Sequence, residues 1–130
     1  MPLYRAFDLT IHSEIPLPEL IRLEDDGKVS PDIRVIRSKV AFPELEQTAI
    51  YRRGVMARSG ATPDGSIYMY WEGITGFRAI EGQTLYVDSY TEDLDLLSLF
   101  TISEALGCLL FQRGLFLLHA SSVQVGQEAF

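Results

Sequence analysis

The feature that most constrains this chain is a switch in hydrophobic period near Ser89. Before it, Ser66–Trp71, Gly76–Ile80 and Thr84–Asp88 are short aromatic and β-branched runs separated by Gly73 and Gly82. That pattern predicts three antiparallel strands in a meander. Glu81-Gly82-Gln83-Thr84 suits a tight hairpin with glycine at the first central position. After it, Leu94, Leu97, Ile102, Ala105, Leu106, Leu109 and Leu110 recur at the helical period, which predicts one long helix ending near Gln112. Leu96, Leu99, Phe100 and Phe111 fill much of the remaining circumference, leaving Ser98, Ser103 and Glu104 as a thin polar stripe, and a helix apolar nearly all round is expected to be buried on several sides. Ser89-Tyr90-Thr91-Glu92 has capping-box spacing, Glu92, Asp93 and Asp95 suit a helix N-terminus, and Gly114 suits a left-handed C-terminal position. The fold class is α+β: an antiparallel β meander with one long buried helix.

Leu3, Arg5, Phe7, Leu9 and Ile11 alternate as one strand over Tyr4–His12. Ser13–Leu20 carries Pro16 and Pro18, so it should cross in extended form, pinned by Ile15, Leu17 and Leu20. Glu24–Lys28 is a polar loop, and Asp32–Arg37 is a strand with one basic and one apolar face. Thr62-Pro63-Asp64-Gly65 is a turn. Residues 38–59 give no clear period; within them Arg52, Arg53 and Arg58 form a basic cluster that could hold phosphate but, with no Gly-rich anion loop beside it, is read as a solvated sheet edge.

At 130 residues with 47% hydrophobic content, the chain can bury a core as one domain. Its net charge of −7 is uneven: ten of the 11 basic residues lie at or before Arg78, and Arg113 alone follows, against Glu81, Asp88, Glu92, Asp93, Asp95, Glu104 and Glu128. A surface so short of cations argues against nucleic acid or an anionic membrane as partner. The single cysteine, Cys108, cannot form an intramolecular disulfide or a cysteine-based zinc cluster. The apolar run Leu96–Phe111 is shorter than a membrane span needs and is interrupted by Ser98, Ser103 and Glu104. The N-terminus lacks a signal-peptide pattern, so a cytoplasmic location is expected.

No Walker A, dinucleotide-binding, zinc-protease or nucleophile-elbow motif occurs. The strand aromatics Tyr68, Tyr70, Trp71, Phe77 and Tyr86 are read as packing groups. His12 and His119 are the only imidazoles. His12 is expected to be exposed and inert. His119 lies where the apolar run Leu115–Leu118 turns into Ala120-Ser121-Ser122, and by itself it reads as a hydrogen-bonded core histidine. Val123 and Val125 alternate, Gly126-Gln127 reads as a tight turn, and Ala129-Phe130 begins a new apolar run. A strand opening at Phe130 leads to the expectation that more chain follows, since unpaired strand backbone is costly to bury.

The sequence Gln112-Arg113-Gly114, Leu115-Phe116-Leu117-Leu118-His119-Ala120-Ser121-Ser122-Val123, a glycine turn and a fresh strand resembles the approach to the P-loop in HPr kinase/phosphorylase-like proteins. The opening Tyr4–Ile11 and Ser13–Leu20 segments are similar to the N-terminal part of those proteins. The resemblance implies an N-terminal α+β module over residues 1–113, followed at 114–130 by the first strands of a P-loop nucleotide domain whose Walker A loop would come just after Phe130. It implies that His119 is a catalytic residue near the phosphates, although Ala120 stands where HPr kinases usually carry glycine. It implies ATP and Mg²⁺ as cofactors of the full-length protein, none for this chain alone, and a protein or peptide hydroxyl as acceptor. A homo-oligomer is compatible with it.

The leading expectation is therefore the N-terminal part of an ATP-dependent serine kinase, inactive without its P-loop. One alternative is a non-catalytic binding or assembly module completed by a partner subunit through strand addition. Another is a small free-standing enzyme using His119 with Glu104 or Asp88.

Overall fold

The computed structural model describes residues 2–24, 27–114, 124–125 and 128–129. Nine strands form one mixed sheet: β1 (Leu3–Ala6), β2 (Leu9–Ser13), β3 (Ile21–Leu23), β4 (Ile33–Arg37), β5 (Glu46–Arg52), β6 (Val55–Ala61), β7 (Ile67–Trp71), β8 (Thr75–Ile80) and β9 (Thr84–Ser89). Their spatial order is β3-β1-β2-β4-β9-β8-β7-β6-β5. All neighbours are antiparallel except around β4, which runs parallel to both β2 and β9. The meander read from sequence is β7-β8-β9, with Phe77 opposite Met69 on one side and Val87 on the other. One helical rod follows: α1 (Leu94–Phe100), a π-helical segment (Thr101–Ala105) and α2 (Leu106–Gln112). A two-residue ladder pairs β10 (Gln124–Val125) with β11 (Glu128–Ala129).

The helix and sheet share a single core. Ile33, Val35, Met69, Trp71, Phe77, Ala79, Leu85 and Val87 project from alternate strand positions toward Leu97, Phe100, Leu106 and Leu109. Trp71 is fully buried and meets Phe77 and Phe100 edge-on, with ring centroids 6.0 and 5.1 Å away. Such pairs add about 0.5–1.5 kcal/mol each beyond area burial. Ile15 and Leu17 are fully buried and Leu20 packs beside them, so the Pro16/Pro18 segment crosses as expected.

Several expectations are corrected. The predicted Tyr4–His12 strand is a hairpin: Ala6 pairs with Leu9 across Phe7 and Asp8, which hold φ of 54° and 60°. Two non-glycine residues carry the left-handed turn that asparagine and glycine usually take, so the alternation alone concealed it. Phe7 is consequently exposed. In the β8–β9 turn both Glu81 (53°) and Gly82 (67°) are left-handed, which places the glycine second rather than first. The helix is capped by the Asp93 side chain, which accepts from Leu96 N at 3.1 Å; Ser89 instead bonds Thr91, so the capping-box reading was displaced. Residues 46–61, unreadable by period, form the β5–β6 hairpin. Its register shifts between Gln47 and Tyr51, a bulge that breaks the alternation a strand reading relies on.

The helix turns two of its polar residues inward. Ser98 and Glu104 do not meet water; they are buried, at 0% and 7% exposure, while Leu94, Leu99 and Phe111 are 44%, 41% and 60% exposed. Ser98 donates to the Glu19 carboxylate at 2.9 Å, and Glu104 accepts from Arg52. Thr101 and Ser103 donate back to the carbonyls of Leu97 and Leu99, competing with the backbone ladder where the helix widens to a π turn. A π turn holds more residues than an α turn, so it shifts the angular phase of everything beyond it. Ser98 lies before that turn and is buried against Glu19, Glu104 lies within it and is buried against Arg52, and Ser103 stays exposed.

Candidate functional site

The helix ends in a clamp built from Gln112 and Arg113. The Gln112 side-chain amide donates to the carbonyls of Gly65 (3.0 Å) and Ala79 (2.9 Å), and its oxygen accepts from Gly82 N (2.8 Å). One side chain thus ties the β6–β7 turn and the β8–β9 turn to the helix exit. Arg113 Nε donates to Gly82 O at 2.7 Å and Nη2 to Asp32 O at 2.8 Å. Gly82 is required twice over. Its φ is left-handed, and a Cβ there would stand 2.6 Å from Arg113 Cγ and 3.1 Å from Leu109 O. Gly114 follows with φ of 81°, as its C-terminal position predicts. The Gln-Arg-Gly run of the sequence is therefore the fitting that fixes where the chain leaves the α+β module.

Beside this clamp lies a polar cavity of about 410 Å³, lined by Pro31, Asp32, Arg34, Gln83, Thr84 and Arg113. Arg34 and Thr84 are register partners on the parallel β4–β9 pair, and Arg113 reaches the same place from the helix. Sequence reading missed this convergence because its members lie on three separate elements. The one available signal was Arg113, the lone cation of an acidic C-terminal region.

A second polar feature sits under the π turn. Arg52 Nε and Glu104 Oε1 are 2.7 Å apart, the arginine side chain 42% and the glutamate 5% exposed. Cys108 lies one turn on, its Sγ 3.3 Å from Met69 Sδ. Burial, reinforced by the Glu104 charge, pushes its thiol up to about 11, so it stays protonated near neutral pH. On the opposite face of the sheet, Phe42 covers Gly76 and meets Tyr68 and Tyr70 edge-on. Arg78 lies over the Tyr68 ring and bonds Ser66 and Asp64. Asp64 is held down to about 2, chiefly by hydrogen bonds from Thr62 and Ser66, with Arg78 adding attraction. Tyr90 is pushed up to about 12 by burial and by Asp88. These aromatics pack against one another, in keeping with a structural role.

His119, the catalytic candidate, lies outside the described residues, as does most of the 114–130 segment. His12 is half-buried within β2, between register partners Leu3 and Arg34, rather than exposed at a strand end. Glu104 and Asp88 are separated by the sheet: Glu104 faces the helix side, whereas Asp88 pairs across from Gly76 and accepts from Val40 N on the other. They do not form a joint carboxylate site. The arginine cluster is also divided. Arg52 turns inward to Glu104, Arg53 occupies the β5–β6 turn with φ of 53°, and Arg58 is exposed on β6. Among the described residues no group of three or more His, Cys, Asp and Glu could hold a metal ion. The helical rod is long and apolar enough by composition to cross a membrane, and half of that window is buried inside the fold. No protein-family model, curated protein or solved structure matches the chain.

Proposed function

We propose that residues 1–113 form the N-terminal module of an HPr-kinase-like, ATP-dependent serine kinase, and that residues from 114 onward lead into its nucleotide-binding part. The observation that carries this reading is the helix. Two of its polar side chains bond the rest of the module, through Ser98–Glu19 and Glu104–Arg52, while Leu94, Leu99 and Phe111 are left outward beside the exposed Asp95 and Ser103. A helix with an apolar outer face is suited to packing on further protein. The clamp at Gln112 and Arg113 supports the same reading, because it sets the direction of the chain at the point where the kinase-like sequence begins. In this proposal His119 sits near the transferred phosphate, ATP and Mg²⁺ are bound by the continuing chain, and the acceptor is a protein or peptide hydroxyl. The setting is cytoplasmic, without nucleic-acid or membrane partners.

The test is phosphoryl transfer from ATP by the product that contains residues 1–130 and their in-frame continuation. Transfer to a serine-containing protein or peptide, sharply reduced by His119→Ala, is the expected result. A well-folded product that neither binds nor consumes ATP overturns the proposal.

The same outward apolar residues favour a second reading, a non-catalytic assembly module completed by a partner subunit. It predicts that purified 1–130 forms a defined oligomer or complex in light scattering. A stable monomer with no partner contradicts it.

A further inference from the structure

Three cavities among the described residues carry cations, and they differ in how far those cations are already engaged. One, of about 250 Å³, sets Arg58 beside Glu72. A second, of about 260 Å³, contains Lys39 and Arg78, but Arg78 is paired with Asp64 at 3.1 Å. The cavity at the helix exit is different. Arg34 and Arg113 both line it, and among the described residues neither is paired with a carboxylate.

We propose that the cavity formed by Arg34, Gln83, Thr84 and Arg113 is a binding site for a phosphate group. Arg113 is held in place before any ligand arrives. Two carbonyls fix Nε and Nη2, and Gly82 admits the side chain at a distance no other residue would allow. The remaining guanidinium hydrogens are thus presented at a fixed position. Arg34 provides a second, adaptable cation from the β4 strand, where its exposed side chain lies beside Thr84. Thr84 adds a hydroxyl and Gln83 an amide. The one acidic residue of the lining, Asp32, has its carboxylate turned to Thr10, accepting from its backbone N at 2.9 Å and its hydroxyl at 3.1 Å. Two guanidiniums with hydroxyl and amide neighbours match the fork geometry and charge of a phosphate oxyanion. A volume of about 410 Å³ leaves room for the body of a phosphate ester beyond its phosphate. The inference does not depend on the kinase reading.

The test is a titration of ¹⁵N-labelled 1–130 followed by amide chemical shifts, with inorganic phosphate, adenosine monophosphate, acetate and sodium chloride at matched ionic strength. Saturable shifts at Arg34, Gln83, Thr84 and Arg113 with phosphate or the monophosphate support the site. Saturation by the ester alone identifies an esterified ligand, and saturation by inorganic phosphate identifies the free anion. Because Arg113 also holds the fold, the variant is Arg34→Gln, at an exposed position. It should weaken binding by about tenfold or more while leaving the remaining spectrum in place. Equal shifts with acetate or chloride, a response that never saturates, or undiminished binding by Arg34→Gln overturns the proposal.

Discussion

Removing the arginine from the Arg52–Glu104 pair should destabilise the fold more than removing both charges together. Glu104 is 5% exposed and its oxygen lies 2.7 Å from Arg52 Nε, the short distance of a charge-assisted hydrogen bond. Arg52→Met strands this carboxylate against the sheet. A fully buried pair broken on one side costs about 3–5 kcal/mol. Because the arginine side chain is 42% exposed, water screens part of that, and about 2–3 kcal/mol is expected. Glu104→Met removes the buried charge and leaves only a half-exposed arginine, at about 1 kcal/mol. The double replacement should cost less than Arg52→Met alone, since apolar groups of similar volume substitute well for buried ion pairs. Urea denaturation of the four proteins completes the cycle, with a coupling of about 1–2 kcal/mol expected. A loss below about 0.5 kcal/mol for Arg52→Met, or strict additivity, refutes the claim that this pair locks the edge hairpin to the π turn.

Three further outcomes follow from local geometry. Replacing Phe7-Asp8 by Asn-Gly relieves two left-handed non-glycine residues and should raise stability by about 1 kcal/mol in thermal or urea melts; a loss contradicts the turn assignment. Asp64 is lowered to about 2 by its hydrogen bonds from Thr62 and Ser66 and by Arg78. A lowered folded-state value contributes stability that is complete above the ordinary value of 3.8 and is lost as pH falls toward about 2. Asp64→Asn should therefore flatten the acid limb of the stability profile in that window, and an unchanged limb counts against the network. Cys108, with its thiol raised to about 11, should resist alkylation of the folded protein at neutral pH and react once urea unfolds it; rapid labelling of the native chain contradicts its placement beside Met69.

The meander was legible because β7, β8 and β9 are aromatic and β-branched runs bounded by turn residues, and the crossing segment because Pro16 and Pro18 leave an extended path as the natural solution. Places where a strong rule is broken locally were not. Phe7 and Asp8 adopt a turn conformation their side chains disfavour, so no turn signal marks the first hairpin. The register shift in β5 destroys the period-two pattern that would have announced an edge strand. In the helix, a reading at constant 3.6 spacing cannot foresee a π turn, nor that Ser98 and Glu104 each have a partner distant in sequence, Glu19 and Arg52. The helix-exit cavity was hidden for a related reason: Arg34, Gln83 and Arg113 converge only through the parallel β4–β9 pairing, which no local pattern encodes. Gly114 was legible because its position after the last helical turn calls for a positive φ.

In the proposed kinase, this α+β module is the entry to a phosphate-binding domain. The most direct measurement is the nucleotide sequence downstream of the Phe130 codon. An in-frame G-x-x-x-x-G-K-[ST] within a few codons, following a strand begun at Ala129-Phe130, is the predicted result. A stop codon, or an open frame without that motif, contradicts the claim.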